Sequence, residues 1–479
     1  MAELITTPKF KLTSTQEQVF KRFKLFIQSN ERSIFILKGY AGTGKTTLIR
    51  HFIKELKEQD KSYCLMASTG RAAKILTNIT KAQASTIHSV IYNFKDFNQD
   101  LEEIVRQEDK TGIDKTGQLF LTFELSPITS ASQIFYIIDE SSMISDEVDP
   151  ETTQALFGSG KLLSDLMAYD PNGKFIFVGD ECQLPPVSQD ISPALHAWYF
   201  KEHFNLEAIE TALTEIVRQA EGNTIIAASQ RIREMYANPP KVRWGKLPLK
   251  NYADIYVHSD LQKMINAYLS QIRNKNYNKA TFIASSNNKC NQLNHQIRKS
   301  LSMSDTLQVG DLLLVTQNNI ISGFMNGDMV VVEQIKNIRY QKAGLSFLMV
   351  EIRDLATDRR FDQLLIEDIL YGSTPNLSQQ QQQALFIDFY RRMRSKNIKQ
   401  KDTAFKEKLN TDSYLNALRC VFGYTLTCHK SQGGEWPEVY VDFPRNITLE
   451  ATPSKYQWVY TAITRAREKL HLVNDFFIE

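Results

Sequence analysis

An apolar run, Ile34-Phe-Ile-Leu37, ends on Gly39-Tyr-Ala-Gly-Thr-Gly-Lys-Thr46, and an amphipathic stretch with Leu48, Ile49, Phe52, Ile53 and Leu56 on one face follows at once. A strand, a glycine-rich turn and a helix in that order make a phosphate-binding loop and commit the surrounding chain to an α/β sheet. Gly39, Gly42 and Gly44 let backbone N–H groups of the loop, Thr43 among them, curl around phosphates at the positive end of the helix dipole. Lys45 can reach the terminal phosphates, Thr46 can offer its hydroxyl to Mg²⁺, and Thr47 stands beside them. The expected ligand is a nucleoside triphosphate, ATP with Mg²⁺.

With 479 residues the chain is too long for one ordinary core, and two to four domains are expected. A 42% hydrophobic and 23% charged composition is that of a soluble globular protein. No apolar run is long enough to span a bilayer, and Met1–Lys11 has no signal-peptide core, so a cytoplasmic protein is expected. Cys64, Cys182, Cys290, Cys420 and Cys428 are scattered without metal-ligand spacing, which fits reduced thiols. A net charge of +3 neither demands nor excludes nucleic acid, because a binding groove needs only a stripe of positive charge. The run Arg391, Arg392, Arg394, Lys396, Lys399, Lys401, Lys406 and Lys408 could be such a stripe or a solvated helix face.

Strand-like runs recur at Tyr63–Ala67, Ile134–Ile138, Phe175–Val178, Thr281–Ala284, Val439–Phe443 and Leu470–Val473, with helix-like segments between them at Arg71–Ile79, Ile225–Met235 and Leu261–Arg273. That alternation predicts two doubly wound α/β domains. Two stretches break the rhythm. Residues 92–130, with turn chemistry at Lys110–Gly117, read as a small β-hairpin insertion; 303–419 reads as a small β barrel with a helical extension, its Gln379–Gln383 run an exposed helix.

Two further strands end on polar chemistry. Ile134–Ile138 runs into Asp139-Glu140, where the first acid suits Mg²⁺ and the second can polarise an attacking water. Phe175–Val178 runs into Gly179-Asp-Glu-Cys-Gln183, whose Gln183 can both donate and accept toward a γ-phosphate.

These three segments resemble motifs I, II and III of superfamily 1 helicases. Tyr424-Thr-Leu-Thr-Cys-His-Lys-Ser-Gln-Gly-Gly-Glu-Trp436 resembles motif V and Val459-Tyr-Thr-Ala-Ile-Thr-Arg-Ala-Arg467 motif VI. Leu12-Thr-Ser-Thr-Gln16 is similar to the Q motif and Ala67-Ser-Thr-Gly-Arg-Ala-Ala73 to motif Ia. Ala84-Ser-Thr-Ile-His88 and Leu213-Thr-Glu-Ile-Val-Arg-Gln219 take the forms of the RecD- and Dda-like branch, superfamily 1B. The resemblance covers residues 12–473.

It implies two RecA-like domains, 1A (1–91 and 131–210) and 2A (211–302 and 420–479), with a 1B pin insertion (92–130) and a 2B SH3-like insertion (303–419). It implies that Gln16 reads adenine, that Lys45, Glu140, Gln183, Arg218 and Arg465 are catalytic, the two arginines as fingers, and that Glu435 contacts ribose. Single-stranded DNA would be gripped by Thr69, Gly70, Thr86, His88, Thr427, His429, Ser431 and Gly433, without reading sequence. The implied activity is ATP-dependent 5′-to-3′ unwinding of fork DNA by a monomer, with replication or repair proteins as partners. A translocase that displaces proteins without separating strands, or an RNA helicase, uses the same motifs.

Overall fold

The computed structural model describes residues 12–29, 31, 33–111, 119–128, 132–148, 155–187, 189–217, 223–242, 245–444 and 452–479. The chain opens with α1 (Ser14–Gln28), started by a reciprocal cap in which Thr13 Oγ1 accepts the Gln16 N–H while the Gln16 side chain accepts the Thr13 N–H. Then come β1 (Ser33–Gly39), α2 (Lys45–Glu58), β2 (Ser62–Ala67), α3 (Gly70–Thr80) and β3 (Ala84–Thr86). Phe23, Phe26, Phe35 and Phe52 fill the seam between α1, α2 and β1, with Phe23 and Phe52 stacked at 3.9 Å. Fully burying each such ring is worth roughly 1.5–3 kcal/mol.

After α4 (Ile87–Ile91) the first insertion begins with β4 (Tyr92–Phe97), α5 (Leu101–Thr111) and β5 (Leu121–Leu125). The domain then resumes with β6 (Ile134–Asp139), α6 (Leu162–Tyr169), β8 (Lys174–Gly179), α7 (Ala197–Phe204) and β9 (Glu207–Leu213), while β7 (Ala155–Phe157), between β6 and α6, pairs parallel with β5 and so joins the insertion's sheet. The first sheet has the order β3-β2-β6-β8-β1-β9 and is parallel throughout. Because β9 pairs along its whole length with β1, this domain reaches Leu213, and a boundary at 210/211 would cut a strand.

The second half builds a second parallel sheet, of order β10-β19-β18-β11-β17. Its elements begin α8 (Thr224–Ala237), β10 (Ile255–His258), α9 (Leu261–Arg273), β11 (Ala280–Ala284) and α10 (Asn287–Ser300). The second insertion carries β12 (Leu312–Val315), β13 (Met329–Lys342), β14 (Leu345–Asp354), β15 (Arg360–Ile366), α11 (Glu367–Tyr371), α12 (Gln379–Arg394), α13 (Thr403–Thr411) and β16 (Cys420–Phe422). Its sheet, order β15-β14-β13-β12-β16, is antiparallel, and a bridge between Leu365 and Leu418 joins its two edges into a small barrel. As β16 pairs with β12, the barrel extends past 419. The chain closes with β17 (Thr425–Thr427), α14 (Cys428–Ser431), β18 (Trp436–Val441), α15 (Pro453–Ile463) and β19 (Ala466–Val473). A buried ion pair fastens barrel to second domain: Arg298 on α10 donates from Nε and NH2 to the Asp311 carboxylate at 2.8 and 2.9 Å, and Tyr424 donates to the same group.

Two expectations need correction. The 92–130 insertion is not a plain hairpin, since β4 and β5 pair antiparallel but are linked through α5. Leu101, Ile104 and Val105 recur at helical spacing and are buried against Phe386, Phe389, Tyr390 and Met393 of α12, so the two insertions clasp each other. Most of the turn segment Lys110–Gly117, from 112 on, lies outside the described residues. The glutamine run does open a helix, capped by Ser378, but Gln382 and Gln383 are buried, because the same face continues into Leu385, Phe386 and Phe389. Within the basic run, Arg392 is taken by Asp388 and Asp412, and Lys406 donates to the Lys95 carbonyl.

All five cysteines are free. No helix among the described residues is long and apolar enough to cross a membrane.

Candidate nucleotide and strand site

Sheet order brings the chemistry together. β6, β8 and β1 are neighbours, so the loop after β1, the acids after β6 and the Asp180 turn after β8 lie side by side at the carboxyl edge of one parallel sheet. That edge is where α/β sheets bind ligands. Gly44 is the N-cap of α2 in the left-handed region (φ +82°), and a Cβ there would sit 2.5 Å from Gln16 Nε2. Glycine is therefore required both by backbone and by space. Buried Thr43 donates to the Tyr40 carbonyl at 2.8 Å, closing the loop, while Gly42 accepts the Val217 N–H at 2.9 Å and so ties the loop to the segment after β9. Lys45 Nζ rests on the Gly39 and Tyr40 carbonyls at 2.6 and 3.2 Å.

Asp139 ends β6, and Glu140 turns away in the left-handed region (φ +53°), its N–H donating to Asp139 Oδ1 at 2.9 Å. Burial first, and the neighbouring Glu140 second, push the Asp139 carboxyl up to about 7. A buried carboxylate with a second acid and Lys45 near it, and Thr46 on the first turn of α2, is a fit for Mg²⁺ held by one or two protein groups. No cluster of three or more His, Cys, Asp or Glu side chains among the described residues forms a protein-only metal cage.

Across the cleft stands α15. Tyr460, buried, accepts the Ala41 N–H at 2.9 Å and donates to Asp180 at 2.8 Å. Thr461 accepts the Leu184 N–H, and Gln432 donates to the Leu184 carbonyl. Arg465 is 3% exposed and donates to the Thr461 and Gly434 carbonyls at 3.0 and 3.2 Å. Gln183 is buried with Oε1 unpartnered. Arg218 lies outside the described residues, one position beyond Val217.

A match to a family described as an AAA domain covers residues 25–189, and a match to the UvrD-like helicase C-terminal domain covers 422–473. The chain is thus similar to an AAA domain in its first half and to a UvrD-like helicase in its C-terminal segment. An uncharacterized protein of Acanthamoeba polyphaga mimivirus is 24% identical over 93% of this chain and 96% of its own. The ATP-dependent RecD2 DNA helicase of Deinococcus radiodurans is 27% identical over 44% of this chain, which spans 23% of that protein. A Bacteroides Pif1 helicase solved with ADP-AlF3 and ssDNA superposes with a TM-score of 0.49 at 16% identity, covering 98% of this chain and 93% of its own.

In this chain several of the side chains chosen from the sequence carry local structure. Gln16 is buried, caps α1 and donates to the Thr43 carbonyl at 3.1 Å, bracing the phosphate loop with both amide atoms engaged. Thr69, Thr86 and Thr427 cap α3, α4 and α14, each accepting an N–H at a strand's end. Ser431 is fully buried and donates to the Cys428 carbonyl. Gly70 is covered by Met325 of the barrel, so closely that a Cβ would meet Sδ at 2.2 Å, and Lys74 pairs with Asp328 beside it. Gly433 (φ +71°) packs on Ala72, and the Arg71 guanidinium lies 4.3 Å over buried Trp436. His88 packs against Tyr92 and Phe157, and burial lowers its basicity and that of His429. Glu435 is exposed at the start of β18. Thr47 lies on the first turn of α2.

Tyr460 and Thr461 were missed by reasoning on the sequence. Their signal was present: Gln457, Tyr460, Thr461 and Thr464 share one helix face at spacings of three and four, aimed at the first domain.

Proposed function

We propose that this chain couples ATP hydrolysis to 5′-to-3′ movement along single-stranded DNA, as a monomer, and separates the duplex ahead of it. The adjacency of the three strand tips under α15 carries the reading. Lys45 would leave the Gly39 and Tyr40 carbonyls for the β- and γ-phosphates. Thr46 and Asp139 would hold Mg²⁺, which would supply positive charge against the phosphates. Glu140 would orient and polarise the attacking water, and Gln183 would sense the γ-phosphate. Arg465, with Arg218, would release its carbonyl partners and stabilise charge on the transferring group, a role worth on the order of 10³–10⁵ in rate. Gln16 supports the loop from behind and would read adenine only after exchanging an internal bond. Glu435 would approach ribose from the second domain.

Thr69, Gly70, Thr86, His88, Thr427, His429, Ser431 and Gly433 cluster around the caps at the strand ends, which supports a strand path made of helix N-termini and backbone groups. Because Met325 covers Gly70, a strand bound there requires the barrel loop to move. The β4–α5–β5 insertion would serve as the splitting element, braced by α12. The form of the 84–88 and 213–219 segments supports the 5′-to-3′ direction.

Unwinding of matched forks bearing a 5′ or a 3′ tail tests the proposal, run beside streptavidin displacement and an RNA-tailed fork. Unwinding from the 5′ DNA tail alone is expected. Displacement without unwinding would replace the reading with a translocase, and preference for the RNA tail with an RNA helicase.

A further inference from the structure

Asp180, Glu181, Cys182, Gln183 and Leu184 belong to the first domain by sequence, yet the second domain holds them. Gln457 donates to the Glu181 carbonyl at 3.2 Å, Thr461 accepts from Leu184 at 2.9 Å, and Tyr460 donates to Asp180 at 2.8 Å. Within the turn, Asp180 accepts the Cys182 N–H at 3.0 Å and its carbonyl accepts the Gln183 N–H at 3.1 Å, so the Asp180 carboxylate sets the course of the backbone that carries Gln183. The Tyr460 hydroxyl also accepts the N–H of Ala41, inside the phosphate loop. A single buried hydroxyl on α15 thus spans the loop and the turn, using its proton on one and a lone pair on the other.

We propose that Tyr460 is a positioning residue that makes hydrolysis conditional on the angle between the two domains. With α15 docked, its hydroxyl holds the phosphate loop and the Gln183 turn in mutual register. When the domains part, Ala41 N–H and the Asp180 carboxylate lose their partner together. Both then need other partners, so the turn and the loop reorganise and Gln183 leaves its place. A strand that favours the docked angle therefore accelerates hydrolysis through this hydroxyl, and by linkage nucleotide strengthens the hold on the strand. The inference rests on the ATP-driven reading above and adds the residue that transmits it.

Tyr460→Phe removes the hydroxyl and keeps the ring. Tyr456→Phe is the control: Tyr456 lies one turn earlier on α15, fully buried, and its hydroxyl has no hydrogen-bond partner. Steady-state hydrolysis is measured with and without an oligo-dT strand, and strand affinity with and without a non-hydrolysable ATP analogue. In Tyr460→Phe the strand-stimulated kcat should fall on the order of tenfold to a hundredfold, as expected for a misplaced group. KM for ATP should change less than kcat, by no more than about threefold, because Lys45 and the loop N–H groups that would take the phosphates keep their identities while the register with Gln183 is lost. The stimulation ratio and the nucleotide effect on strand affinity should both collapse toward one. Tyr456→Phe should keep wild-type values of all four. Wild-type ratios in Tyr460→Phe, or equal losses in both variants, would overturn the proposal. Should Tyr460→Phe not fold, Thr461→Val, which removes only the acceptor for Leu184, decides in the same way with a smaller effect. A wild type with no stimulation would instead overturn the ATP-driven reading itself.

Discussion

The two parallel sheets share an architecture and differ in what stands at their strand tips. In the first, β1, β6 and β8 end on the phosphate loop, Asp139-Glu140 and Asp180. In the second, β11 and β17 run into Ser286 and Thr427, which cap helices and carry no charge. What the second sheet offers the cleft is a helix, α15, with Tyr460 and Thr461 on its near face and Arg465 just past its end. Burial raises the affinity of Asp139 and Asp180 for protons, so the first domain presents acids short of positive charge, and the second presents a cation. Under the proposed function, one sheet holds the reagents and the other controls when they act.

The largest effect should come from the first sheet. Lys45→Ala should lower hydrolysis by about 10³ or more while strand binding persists, measured by phosphate release and fluorescence anisotropy. Arg465→Ala should cost on the order of 10³ in kcat with ATP binding retained, and Arg465→Lys should not restore it, because a lysine lacks the planar fork. Equal loss of ATP binding in Arg465→Ala would erase the distinction between the two sheets.

Two substitutions sharpen the comparison in the insertions. Asp311→Ala leaves buried Arg298 unpaired and should destabilise the second domain by about 3–5 kcal/mol in urea unfolding. Phe97 packs edge-on against Phe386 at 5.0 Å, and Phe97→Ala should loosen the clasp by about 3–5 kcal/mol. Unwinding should fall more than stimulated hydrolysis; equal falls would count against a splitting role.

The smallest effect concerns pH. Burial, then His258 at 3.0 Å, push His471 down to about 4, while Glu438 at 3.8 Å opposes the shift and Lys469 adds to it. The unfolded chain takes up this proton below about 6.5, so the stability it contributes is present above that pH and lost as pH falls toward 4. Melting temperature should drop across that window, and His471→Phe should make the slope shallower.

The two sheets and the placement of the phosphate loop and the acids at one sheet edge were legible because each rests on local signals: apolar runs, glycines and acids at strand ends. The clasp between the insertions was not, although Leu101, Ile104 and Val105 carried the helical period, since turn residues at 110–117 drew the reading to a hairpin. Nor were the structural duties of Gln16, Thr69 and Ser431, because a cap and a ligand contact call for the same hydroxyl or amide. Coverage of Gly70 by Met325 joins residues far apart in sequence and has no local signature.

The central claim, that the second sheet governs chemistry housed on the first, is tested most directly by ATP hydrolysis with and without single-stranded DNA. The account predicts strong stimulation in the wild type and loss of stimulated turnover in Arg465→Ala. A rate that ignores the strand in both proteins would contradict it.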